Sequence, residues 1–213
     1  AAAFDAAGAS LVLVDRRPEM LEQAYGGSGE RRLLAAADLL DAREVEAAVA
    51  AAAARFGGID ALCHIAGGFR MGDAVHETSD ETWQWLFDIN VRTLLRIAAA
   101  VVPRMVAGGG GRIVTVGAMS ARQGLARMGA YCAAKDAVTR LSESMAAELQ
   151  PHGIRVNCLL PSIIDTPDNR AAMPDADRSA WVGTAEIGHG CVCLTSDHAA
   201  PGGGVGLPVQ GGG

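Results

Sequence analysis

Four short runs, Ser10–Asp15, Ile59–Ala66, Arg112–Val116 and Ile154–Pro161, are apolar almost from end to end rather than at alternate positions. Strands of that kind must be buried on both faces, which a parallel sheet between two helical layers provides. Helix-like stretches separate them, and strands alternating with helices predict an α/β, doubly wound arrangement. In such sheets ligands sit beyond the carboxyl ends of the strands, near the point where strand order reverses. Asp15, Ala66-Gly67, the residues after Val116, and Pro161 all follow strand-like runs.

The remaining elements fill in around these runs. A helix pattern at 1–7 is closed by Gly8, a short helix is expected at 17–25, and 25–30 is a Gly-rich turn. A strand is expected at 32–36, and a helix at 42–56 with Asp41 as N-cap and Gly57-Gly58 as the stop. One long helix is predicted over 80–106, ended by Gly108–Gly111, and another over 130–149. The last part reads as a Pro-rich loop, a helix at 185–194 and a short strand at 205–209. This is the Rossmann-type plan, and 213 residues without repeat or linker predict one domain over 1–213.

Composition excludes several classes. The net charge of −6 argues against nucleic acid as partner, since phosphate binding wants a basic face. Half the residues are hydrophobic, yet no run of 18 or more apolar residues occurs, so no membrane span is expected. Nor is a secretory leader expected. The odd set Cys63, Cys132, Cys158, Cys191 and Cys193 reads as reduced thiols in a cytoplasmic protein. Cys191-x-Cys193 near His189 lacks the usual zinc spacing and a second ligand pair, so no metal is expected. His64, His76, His152, His189 and His198 share no spacing and read as structural or exposed.

The chemistry points to Tyr131-Cys132-Ala133-Ala134-Lys135. A tyrosine and a lysine four residues apart share one helical face. The ammonium is expected to favour the phenolate and draw the tyrosine pKa down from about 10, into a range useful for proton transfer. Asn90 inside an apolar helix is costly unless bonded. On the same helix, Trp83, Trp85 and Phe87 are expected to pack rather than to stack on a substrate.

Asp60–Gly68, Asn90, Tyr131-x-x-x-Lys135 and Pro161-x-x-x-x-Thr166 occur in the order and spacing of the short-chain dehydrogenases/reductases, which the chain resembles over essentially its whole length. The resemblance implies hydride transfer with a nicotinamide dinucleotide to or from a small carbonyl, alcohol or imine-type substrate. Tyr131 would be the acid/base, Lys135 would tune it and hold the nicotinamide ribose, and Asn90 would support a water leading to the lysine. Ala66-Gly67 corresponds to the family's Asn-Asn-Ala-Gly turn with both asparagines replaced. Asp38-Leu39 would meet the adenine, and Pro161, Ile164 and Thr166 the cofactor's nicotinamide end. An acid at Asp15 would bond the adenine ribose and repel a 2′-phosphate, so NAD is expected, with NADP as the alternative through Arg16. The two long helices match those that pair subunits in the family, implying a homodimer or homotetramer.

Two departures stand out. The sequence starts just after the family's first strand and Gly-rich phosphate turn would end, so about 20 residues of that pattern are expected to be lacking. The family's catalytic serine, 13 residues before the tyrosine, is Ala118 here. Ser120 would lie about 6–7 Å further on if the strand continued, at about 3.3 Å per residue. Alanine there, together with Asp165–Asp177 and Trp181, resembles the quinonoid dihydropteridine reductase branch, whose electron-poor substrate needs less activation. Ala118, Ser120, Met173 and Trp181 are the substrate-side candidates. The alternative of another class is a catalytically silent binding or assembly module, favoured by the same two departures.

Overall fold

The computed structural model describes residues 1–197 and 203–212. His198 lies outside the described residues. In chain order the elements are α1 (Ala2–Ala6), β1 (Leu11–Asp15), α2 (Pro18–Tyr25), β2 (Arg32–Ala36), α3 (Ala42–Phe56), β3 (Ala61–His64) and α4 (Asp80–Phe87). After a π-helical turn, Asp88–Arg92, come α5 (Thr93–Ala107), β4 (Gly111–Val116), a 3-10 turn (Met119–Arg122), α6 (Gly129–Leu149) and β5 (Ile154–Pro161). The chain closes with β6 (Ile164–Asp165), α7 (Pro167–Ala172), β7 (Val182–Gly183), α8 (Thr184–Thr195) and β8 (Gly206–Val209).

Local chemistry sets the boundaries. The Asp41 side chain accepts the N–H groups of Arg43 and Glu44, and Gly57 leaves α3 at φ 83°, a left-handed exit open to glycine at little cost. Ser79 caps α4 by accepting the N–H of Thr82. The predicted single helix over 80–106 is interrupted at 88–92, where one extra residue per turn widens the spiral around Asn90. The stretch expected to be only a loop after Pro161 holds β6, α7 and β7, elements too short to leave a periodic signal.

All strand pairings between named strands are parallel. β3, β4, β5 and β8 form one sheet in that order, β1 pairs with β2, and β6 pairs with β7. β4 and β5 are covered on both sides, as their largely apolar character requires. Ile113 and Val114 are neighbours on β4 and both fully buried, yet they enter different cores. Ile113 packs with Val45 and Val49 of α3, Ile97, Val101 and Met105 of α5, and Ile154 and Val156 of β5. Val114 packs with Leu159, Val182, Ile187 and Cys191, with Phe4 of α1 against them. The architecture is a Rossmann-type α/β layer fold. Among the described residues, β1 has β2 as its strand partner and β3 has β4. Packing of α3 against both β2 and α5 joins the two parts of the parallel structure.

Candidate active site

Parallel strands deliver their carboxyl ends to one edge, and the candidate residues gather there. At the end of β3 the chain turns through Ala66, Gly67 and Gly68. Asn90, 1% exposed in the π turn, grips that segment from below. Its Oδ1 accepts the Gly68 N–H at 3.1 Å, and its Nδ2 donates to the Gly68 carbonyl at 3.0 Å and to the Leu86 carbonyl at 2.9 Å. These three bonds offset the cost of burying an amide. A Cβ added at Gly67 would lie 2.8 Å from Asn90 Oδ1 and 2.9 Å from Lys135 Nζ, so glycine permits the turn to touch both side chains. At Gly68 the same addition would strike the Trp85 ring at 2.5 Å.

Tyr131 and Lys135 lie on successive turns of α6, as their spacing predicts. The ammonium of Lys135 is buried and donates to the Val116 carbonyl at the end of β4, 2.9 Å away. Burial pushes its pKa down to about 8. The Tyr131 ring meets Phe69 edge to face at 4.8 Å between centroids. Its pKa departs from the expected direction: burial, with a smaller contribution from Cys132, pushes it up to about 12. Desolvation of the phenolate dominates, and the Lys135 ammonium donates to a backbone carbonyl rather than to the phenol oxygen.

A buried histidine, read from sequence as merely structural or exposed, stands behind this group. His64 closes β3, and its Nε2 lies 3.3 Å from Thr93 Oγ1, which itself reaches the Ile89 carbonyl at 2.8 Å. The single hydroxyl proton of Thr93 goes to Ile89, so His64 Nε2 carries the other proton and donates to the threonine oxygen. Burial, and then the Lys135 charge, pushes the imidazole down to about 4. The π turn that presents Asn90 is thereby tied to the end of β3. No periodicity announces a π turn, so this link could be found only in three dimensions.

At the other end of the strand row, Asp15 closes β1, and its Oδ1 accepts the N–H of Arg17 at 2.9 Å and Arg17 Nε at 3.5 Å. Arg17, two residues on, is thus its basic partner. Asp38 accepts the Leu40 N–H at 2.8 Å while its own N–H donates to Glu44, a turn that holds Leu39 against the core. Pro161 is buried at the end of β5, paired in register with Val209. Ile164 is half-buried in β6 and packs on the Val114 core. Thr166 caps α7 by accepting the Asn169 N–H at 3.2 Å.

The substrate-side candidates separate. Ala118 is buried, 5% exposed, at the entry to the 3-10 turn that carries Ser120. The Ser120 carbonyl accepts the Cys132 thiol at 3.4 Å, so the loop turns back toward α6 instead of continuing the strand. Met173 ends α7 half-buried. Trp181 is buried, with the Arg178 guanidinium 5.7 Å over its ring, which makes it a packing residue of the segment before β7. Trp83 and Phe87 pair at 5.9 Å, while Trp85 takes the Arg70 guanidinium at 4.0 Å. Among the described residues, no three His, Cys, Asp or Glu side chains gather as a metal site, and no helix is long and apolar enough to cross a membrane.

Comparison with known proteins bears on the family and the fold. The short chain dehydrogenase family profile matches residues 1–177. D-threitol dehydrogenase of Mycolicibacterium smegmatis is 34% identical over 235 aligned positions, covering 100% of this chain and 86% of the relative. Among solved structures, 3-ketoacyl-(acyl-carrier-protein) reductase of Brucella melitensis, complexed with NADH, superposes with a TM-score of 0.86 at 27% identity, covering 99% of this chain and 90% of that one. A gluconate 5-dehydrogenase of Burkholderia cenocepacia J2315, in complex with NADP and tartrate, gives 0.88 at 28% identity, covering 100% and 88%.

Proposed function

The chain belongs to the short-chain dehydrogenase family, and from that premise we propose that it is a nicotinamide-dependent oxidoreductase with Tyr131 as the proton donor to substrate oxygen or nitrogen. The observation that carries this reading is the meeting of Asn90 Oδ1 and Lys135 Nζ around Gly67, one helical turn from Tyr131.

The residues present fit a dinucleotide. Lys135 spends one N–H on Val116 and keeps two for the hydroxyls of a ribose. Both Arg17 contacts fall on one oxygen of the Asp15 carboxylate, leaving the other for an adenine ribose, and a carboxylate there favours NAD over NADP. When bound, the nicotinamide supplies or accepts the hydride. Everything else is asked of the chain. Tyr131, with its pKa near 12, stays a phenol at neutral pH and can give its proton to a developing alkoxide or amide anion. Lys135 remains largely an ammonium at pH 7. Asn90 fixes the Gly67-Gly68 turn beside Lys135.

A phenol that holds its proton this firmly suits reduction near neutrality better than oxidation, which needs the phenolate. Ala118 favours a second reading on the substrate side: with a methyl group where a hydroxyl would polarise a carbonyl, an already electron-poor C=N such as a quinonoid dihydropterin suits the site. The test is NADH oxidation by the purified chain with ketone, imine and quinonoid dihydropterin substrates. Tyr131→Phe is expected to lower kcat at least about 100-fold while NADH affinity, read by fluorescence, changes less than about twofold. Undiminished turnover in that variant would remove the tyrosine from the mechanism.

A further inference from the structure

We propose that the oxidoreductase site takes a substrate built on an apolar ring, rather than an open-chain polyol, and that Phe69, Met71 and Val75 form the wall that receives it. The inference rests on the functional reading above and adds the substrate class.

The segment after Gly68 carries large apolar side chains into solvent. Phe69 is 50% exposed, Met71 59% and Val75 62%. These residues run along the start of α6 and end at the phenol. Phe69 touches the Tyr131 ring at 4.8 Å. Gly72 exchanges hydrogen bonds with Arg127, its N–H donating to the Arg127 carbonyl at 2.9 Å and its carbonyl accepting from Arg127 Nη1 at 2.7 Å. A methyl group of Val75 sits so close to Gly129 that a Cβ there would meet it at 2.6 Å. The segment is thus pinned beside Gly129–Tyr131 at both ends and in the middle, and its apolar side chains remain open.

Isolated exposed apolar residues need no explanation, but three in one pinned segment ending on the candidate acid do. A polyol entering here would give up water for apolar carbon, and each hydroxyl left without a partner is costly. Two neighbouring guanidinium groups are engaged elsewhere: Arg70 lies over Trp85, and Arg127 bonds the Gly72 carbonyl. Ala118 adds a methyl group where a hydroxyl would have served. A ring with one oxygen or nitrogen at its edge matches this surface, with its heteroatom to Tyr131 and its carbon face to Phe69.

The experiment uses the full chain with NADH and two probes, cyclohexanone and D-threitol, read by saturation-transfer NMR for binding and by NADH or NAD+ turnover for chemistry. The ring is expected to bind at least about tenfold more tightly than the polyol. Phe69→Ala is expected to weaken ring binding about tenfold, equivalent to about 1.4 kcal/mol, with Phe69→Leu restoring most of it. Val75→Ser should act in the same direction, and neither change should alter polyol binding. D-threitol bound as tightly as the ring overturns the inference. So does a Phe69→Ala protein that binds the ring normally but changes its association state in gel filtration, since the wall is then a contact between copies. Ring binding without turnover of any substrate supports the wall while refuting the oxidoreductase reading, so the two failures are distinguishable.

Discussion

Acid should loosen this protein through one imidazole. His64 is 4% exposed and bonded as a neutral donor to Thr93, and its pKa falls from 6.5 to about 4 on folding. The unfolded chain therefore binds a proton more readily than the folded chain between pH 6.5 and 4, and stability must fall as pH falls through that window. At about 1.36 kcal/mol per pH unit, the gap is worth about 3 kcal/mol between pH 7 and pH 4. That is a large part of the about 5–15 kcal/mol that holds a typical domain. Urea unfolding at a series of pH values, for the parent and for His64→Gln, isolates the contribution. Glutamine can still donate to Thr93 but does not titrate, and carboxylates contribute equally to both curves. The parent should lose about 3 kcal/mol more than the variant on going from pH 7 to pH 4. Parallel curves would refute a buried neutral His64 held beside a lysine charge.

Two further substitutions probe the turn at the heart of the site. Asn90→Ala removes three hydrogen bonds to Gly68 and Leu86 and leaves the Gly68 N–H and two carbonyls to find new partners. A cost of about 2–3 kcal/mol is expected in the urea midpoint at constant slope, together with weaker NADH binding. Gly67→Ala places a methyl group 2.8 Å from Asn90 Oδ1 and 2.9 Å from Lys135 Nζ. It should lower NADH affinity at least about tenfold, read by fluorescence titration, with only a modest fall in Tm because the turn can yield where the core cannot.

The layer plan was legible because burial on two faces leaves its mark on every strand residue. Ile113 and Val114 on β4, and Val156 and Leu159 on β5, have no solvent side, and even the Asn157 between the β5 pair is buried. The ends of α3 were legible for an equally local reason: a carboxylate at Asp41 and a positive-φ glycine at Gly57 act within four residues. What escaped were features without local causes. The π turn at 88–92 inserts one residue into an otherwise ordinary amphipathic helix, and only the grip of Asn90 on Gly68 and the tether from Thr93 to His64 explain why it stays there. The short β6 and β7 pair exists because Ile164 and Val182 meet across a separation no periodicity spans.

Tyr131 and Lys135 show where sequence reasoning stops. Four-residue spacing on a helix places Tyr131 and Lys135 on one face, and the chain obeys. The sign of the phenol's pKa shift, however, is set by what surrounds it. Once the Lys135 ammonium donates to the Val116 carbonyl and Phe69 closes over the ring, desolvation dominates and Tyr131 moves up rather than down. The same enclosure that makes the phenol a firm holder of its proton also exposes the far side of Phe69. Removing the Phe69 ring is expected to rehydrate the phenol and move the Tyr131 pKa back toward 10, read by spectrophotometric titration of Phe69→Ala beside the parent chain; an unmoved titration would show that other neighbours bury the phenol.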